Sequence, residues 1–203
     1  VSGDLVITSL GMASRMLTPI LVDFQAEHPE VRVRYRTGDR VFRLEYGEAH
    51  VAIRAGTMPE EPDNVVQPFL QQHMALVASD AYAARHGMPK DEDDLKNHYF
   101  VTHDSDKSRA PFTRWLRDMV NDDRFIYRAT ENRNMQDAIV AGAGIGFVLA
   151  QELRAHPELT EVIPRREEWS APLWIVTHVD LHRTTKVQSF LRFLKDRIKT
   201  LEC

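Results

Sequence analysis

Apolar positions change their spacing several times along the chain, and each change predicts an element. DLVIT, Asp4 to Thr8, is apolar enough on both faces to predict a short buried strand. Met16, Leu17, Ile20, Leu21 and Phe24 then recur at helical spacing. Pro19 interrupts that pattern, so the helix has to begin near Ala13 or Ser14, with the proline in its first turns. Pro29 pushes His28 out of the α region, which predicts the helix stop. VRVRYR alternates strictly, with Val31, Val33 and Tyr35 on one face and Arg32, Arg34 and Arg36 on the other: a half-exposed strand. VFRLEYGEAHVAIRAG predicts a short helix ending near Gly47, then a buried strand through Ile53 that finishes at Arg54 and Gly56. This α/β rhythm implies parallel strands joined by right-handed crossovers.

The proline- and acid-rich TMPEEPDN is a loop, and extended structure resumes in VVQPFLQQHMALVAS, with a boundary near Pro68 to Gln72. The rhythm then repeats. DAYAARHG predicts a short helix capped by Gly87, YFVTH a strand, and APFTRWLRDMV an amphipathic helix with Phe112, Trp115, Leu116 and Met119 inward. FIYRAT is a strand, NMQDAIVA a short helix, IGFVL a strand, AQELRAH a helix and APLWIVTHV a strand. The closing TTKVQSFLRFLKDRIKTL is a helix with Val187, Phe190, Leu191, Leu194, Ile198 and Leu201 on one stripe. FQAEHPEVRVRY and ELRAHPELTEVI each read helix, His-Pro-Glu, strand, an echo that suggests two similarly built lobes. Open α/β sheets bind ligands at the carboxyl ends of their strands, so two such lobes facing each other would make a cleft.

Composition narrows the function classes. A chain of 203 residues, 43% hydrophobic, can bury a substantial core as one domain or as two lobes. A formal charge of −4 with interleaved signs lacks the basic footprint that nucleic-acid phosphates need. The single cysteine, Cys203, excludes a disulfide framework and any CxxC site. No apolar run approaches the ~20 residues of a membrane span, and VSGDLVITSL lacks the charged start and apolar stretch of a signal peptide.

The glycines of AGAGIGFVLAQEL invite a nucleotide-loop reading, but Gly142, Gly144 and Gly146 form G-x-G-x-G after a helical segment, the reverse of the dinucleotide fingerprint. They read as a helix stop at Gly142 followed by a tight turn into IGFVL. HVDLH places His178, Asp180 and His182 on one face if extended, a metal trio at best; the favoured reading is a strand end whose Asp180 and Thr184 satisfy turn and helix amides. DEDD, Asp91 to Asp94, reads as solvated surface beginning a helix, and Arg32, Arg34 and Arg36 as a solvated row, with an anion site or subunit contact as the alternative. His103 and Asp104 are equally readable as ligand contacts or as ordinary strand-end polarity. TSLGMAS is the stronger candidate: it presents backbone amides at a helix N-terminus, where anions bind, with Thr8 and Ser9 adding hydroxyls. The competing reading there is plain capping by a serine.

GDLVITSLGMASRMLTPILVDFQAEHPEVRVRY, GEAHVAIRAG, AIVAGAGIGFVL and APLWIVTHVDLHRTTKVQSFLRFLKDRI, in that order, resemble the C-terminal effector-binding domain of LysR-type transcriptional regulators. The resemblance implies an α/β, type 2 periplasmic-binding-protein-like fold: two Rossmann-like subdomains, 1–70 with 178–203 and 71–177, joined by two crossover strands. It further implies a cytoplasmic, non-enzymatic sensor without cofactor or metal, holding a small effector, an organic acid or aromatic compound, in the interdomain cleft. DNA would be bound only through an N-terminal winged helix-turn-helix outside this sequence. Pairing into homodimers, and into tetramers at full length, would use the first helix and the Arg32 to Arg36 strand. Position by position, the implied ligand residues are Ser9, Leu10 and Met12, Arg54 to Gly56, Thr102 and His103, and Asn132. Leu10 and Met12 stand where many members carry a hydroxyl, and His50 where an aspartate is common, which admits a more apolar effector. Two other readings compete: a periplasmic solute-binding protein of a transporter, and a metal enzyme built on His178, Asp180 and His182.

Overall fold

Strand β1 (Gly3–Ser9) is buried from Leu5 onward and pairs in parallel with β2 (Val31–Thr37) and with β3 (Val51–Ala55). Helix α1 (Ser14–Glu27) connects β1 to β2; it is preceded by a 3-10 turn at Gly11–Ala13, holds Pro19 within it, and ends at His28. The computed structural model describes residues 1–38, 44, 47–106 and 108–201, with side chains through 199. The predicted helix before Gly47 therefore falls mostly outside the described residues, as does the Leu201 side chain.

The first sheet has the order β2-β1-β3-β10-β4, where β4 is Asn64–Gln72 and β10 is Ala171–His178, antiparallel to β3. Helix α6 (Thr185–Leu201) and α1 bury Leu17, Ile20, Phe24, Val187, Phe190 and Leu194 with Leu5, Ile7, Val51, Ile53 and Ile175 of the strands. The chain divides into two compact units, 1–70 with 172–203 and 71–171. Residues 172–177, which the implied subdomain boundaries put in the second lobe, group with the first unit, where β10 pairs with β3 along Leu173 to Val176.

The second unit repeats the strand order in broken form. Strand β5 (Met74–Ser79) runs antiparallel to both β8 (Gly146–Leu149) and β9 (Leu159–Glu161), giving the order β8-β5-β9. Strand β6 (Phe100–His103) pairs in parallel with β7 (Phe125–Ala129) as a separate two-stranded sheet. Among the described residues a single parallel bridge, Phe100 to Ile145, joins the two, with Val101 N–H donating to Ile145 O and Ile145 N–H to Tyr99 O, both at 2.8 Å. The packing helices are α2 (Asp80–His86), α3 (Pro111–Met119) and α4 (Asn132–Val140). Helix α3 buries Leu116, with Phe112, Trp115 and Met119 half-buried.

The glycine stretch builds that joint. Helix α4 ends in a Schellman motif: Gly142 N–H donates to Ile139 O and Ala143 N–H to Ala138 O, with Gly142 at φ +85°. A Cβ on Gly144 would lie 2.9 Å from Tyr99 O and 3.0 Å from Phe100 C, so only glycine lets this segment close on β6. The following AQELRAH is not an α-helix. It is a 3-10 stretch, Ala150–Arg154, cut short because Pro157 denies His156 the α region. The two His-Pro-Glu segments are thus not equivalent: one leads into β2, parallel to β1, and the other into β9, antiparallel to β5. Among the described residues no helix is long and apolar enough to cross a membrane.

Candidate functional site

In the first unit, parallel pairing places the carboxyl ends of β1 and β3 at the same sheet edge, so Ser9, Leu10 and Met12 share that edge with Arg54 and Gly56. Ser9 Oγ donates to Leu10 O at 2.8 Å and lies 2.6 Å from Tyr35 Oη. With its one hydrogen used on the carbonyl, Ser9 accepts from the phenol. Burial raises the Tyr35 pKa, against hydrogen bonds from Ser9 and Ser14 that lower it, so the phenol stays protonated and able to donate. Alternation along β2 puts Tyr35 on the face of Val31 and Val33 but carries no signal of its hydroxyl's partner, which lies 26 residues away in sequence.

No serine caps the helix start. Leu10 and Ala13 occupy the two cap positions without a side-chain acceptor, and Ser14 Oγ faces Thr18 Oγ1 at 3.4 Å. Capping, the competing explanation of the hydroxyls, is therefore excluded at Ser9 and Ser14. Leu10 and Met12 are half-buried beside this edge. Arg54 is paired with Glu61 at 3.0 Å, and Glu61 is held below the usual carboxylate range by its own backbone amide first and by Arg54 as well. Gly56, at φ +97°, donates its N–H to Pro172 O and accepts from Trp174 Nε1 at 2.7 Å.

His50 lies one residue before β3. Its Nδ1 accepts the Val6 N–H at 2.8 Å while the His50 backbone N–H donates to Val6 O, extending the ladder through a side chain. That bond requires a neutral ring. Burial first, and then Lys186, lower its pKa, against a smaller opposing effect of Asp4. An aspartate at this position would accept the same amide, which gives the substitution a physical basis.

In the second unit, Thr102 and His103 end β6, and Asn132 opens α4 just beyond β7, whose Ala129 is in register with His103. Thr102 is buried. The loop after β6 is strapped: His103 Nδ1 accepts the Ser105 N–H, and Arg117 Nη2 donates to both His103 O and Ser105 O, at 3.1 and 2.9 Å. Arg117, 14 residues away on α3, was not legible as a site residue because nothing in its local spacing separates it from a solvated helix arginine.

The other sequence candidates have structural partners. HVDLH is not extended, since Val179–His182 form the short helix α5, in which His178 Nδ1 accepts the Asp180 N–H and His182 Nδ1 faces Thr177 Oγ1. Thr184 Oγ1 accepts from Val187 N–H at 3.5 Å and donates to Leu181 O. Asp4 answers Arg32 at 2.8 Å and Arg34 at 3.5 Å across the strand pair, and Arg32 chiefly lowers its pKa. In DEDD, Asp91 and Asp94 accept backbone amides of Asp94 and Lys90 and so shape the 3-10 turn Asp93–Asn97.

The LysR substrate binding domain model matches residues 1–199. An HTH-type transcriptional repressor of Pseudomonas aeruginosa is 25% identical over 205 residues, covering 96% of this chain and 63% of that protein. The regulatory domain of CrgA, a LysR-type transcriptional regulator from Neisseria meningitidis, superposes with a TM-score of 0.82 at 17% identity, covering 97% of this chain and 99% of that one. The AmpR effector binding domain from Citrobacter freundii gives 0.76 at 16% identity, covering 98% and 100%. The fold is accordingly the type 2 periplasmic-binding-protein-like fold. The chain spans between 57% and 63% of the length of three curated relatives it matches.

Proposed function

The chain belongs to the LysR substrate-binding domain family, and from that premise we propose that it is the effector-sensing domain of a bacterial transcriptional regulator. The observation that carries this reading is the family match over 1–199. A transporter's solute-binding protein finds no support, because the matched relatives are transcriptional regulators and activators. In this reading Ser9, Leu10, Met12, Arg54 and Gly56 of the first unit and Thr102, His103 and Asn132 of the second contact a small effector. Half-buried Leu10 and Met12 beside the Ser9–Tyr35 hydroxyl pair favour a ligand with an apolar body and one polar or acidic group. The residues act by recognition and no covalent step is assigned to them.

Effector binding shifts an existing equilibrium only as far as the effector prefers one state over the other. In the full-length protein the shift would pass to a helix-turn-helix domain and to subunit pairing in the cytoplasm. Pairing through α1 and β2 is supported by the edge position of β2 and by Val22, 59% exposed on α1. A thermal-shift screen of aromatic acids, small carboxylates and amino acids tests the reading. An aromatic or branched acid that raises the melting temperature saturably is the expected result; no saturable hit from any of these classes would contradict the assigned effector class.

A further inference from the structure

The second unit carries an aromatic cluster outside the proposed effector residues. Trp115 of α3, Phe147 of β8 and Trp169, in the 3-10 turn Glu167–Trp169, meet edge to face with ring centroids 5.0 to 6.2 Å apart. Trp169 is fully buried, while Trp115 and Phe147 keep part of their surface in solvent. Arg166 places its guanidinium carbon 5.3 Å from the Trp115 ring centre and 5.7 Å from that of Trp169. Two carboxylates complete the surroundings: Arg166 Nη2 donates to Glu92, and Nη1 lies 3.4 Å from Glu168 Oε1.

Two indole rings and two carboxylates around one planar cation are the contacts a guanidinium selects, since it accepts π contact on its faces and ionic hydrogen bonds at its edges. An ammonium ion would use the charge but not the planar fit. The Arg166 side chain remains 35% exposed. It also lines a cavity of about 270 Å³ with His73, Met74, Arg165, Glu167 and Ser170, so the side chain has room to leave the rings.

We propose that this box is a second ligand site, selective for cations of the alkylguanidinium class, and that Arg166 is its resident occupant, exchanged when an external guanidinium binds. Exchange frees the segment 164–170, which runs directly into β10. A tethered competitor is present at an effective concentration on the order of millimolar. External ligand therefore binds much more weakly to the native chain than to one lacking Arg166.

The test titrates methylguanidine and agmatine into the native domain, Arg166→Ala and the double variant Arg166→Ala/Trp115→Leu, with methylamine and sodium chloride at matched ionic strength as controls. Melting temperature and hydrogen exchange over 164–170 are the readouts. Arg166→Ala is expected to gain stability saturably with methylguanidine and not with either control. The native domain should need at least about tenfold more ligand and should exchange faster over 164–170, and the double variant should not respond. Equal responses to methylguanidine and sodium chloride in Arg166→Ala, or a response that survives Trp115→Leu, would overturn the proposal. Should Arg166→Ala not fold, the native arm decides alone: faster exchange over 164–170 with methylguanidine but not methylamine supports the site, and no such difference refutes it.

Discussion

The two units arrange comparable strands in the same order and close them differently. In the first, β2-β1-β3-β10-β4 form one hydrogen-bonded sheet. In the second, β7-β6 and β8-β5-β9 are separate sheets that meet, among the described residues, at one bridge, Phe100 to Ile145. Strand pairing with buried branched residues holds the first sheet together, whereas the second depends on a close backbone approach that a glycine permits. The same architecture can thus rest on side-chain volume in one place and on its absence in another.

That contrast can be broken from either side. Phe24→Ala removes a fully buried ring packed against Phe190 and Phe193, and should cost about 3–5 kcal/mol in urea denaturation. Gly144→Val adds volume where a Cβ already meets the Tyr99 carbonyl at 2.9 Å; it should cost roughly 1–3 kcal/mol, with faster amide exchange at Val101 and Ile145. If Gly144→Val were neutral, the bridge would not be the joint described here.

His50 gives a smaller effect with a defined pH sign. Its folded pKa lies below the ordinary value of about 6.5, so the unfolded chain takes up the proton first as pH falls. The Val6–His50 bond therefore contributes its full share above pH ~6.5 and loses it as pH drops through the folded pKa. Urea midpoints of the native domain and His50→Asn across pH 7 to 5 check this: the native midpoint should fall more steeply. Smallest of all, Asp4→Asn breaks only exposed pairs with Arg32 and Arg34 and should leave the midpoint unchanged.

The elements were legible wherever spacing is local: the β1–α1–β2 run, the strict alternation of β2 and the stripe of α6. Pairing across distance was not. The His-Pro-Glu echo reported a local helix stop and not an equivalent place in the sheet, and β10 changed unit because its partner β3 lies more than 100 residues away. The proposed site divides in the same way. Its loops follow from strand ends, whereas Tyr35 reaches Ser9 across 26 residues and Arg117 reaches His103 across 14.

In the proposed function the strand-end loops read a small effector. Calorimetric titration of a ligand from the screen into the native domain, Ser9→Ala and Thr102→Ala tests it most directly. Loss of one hydrogen bond predicts roughly 3- to 10-fold weaker binding in each variant, with both free variants still folded. Native affinity in both variants would contradict the account.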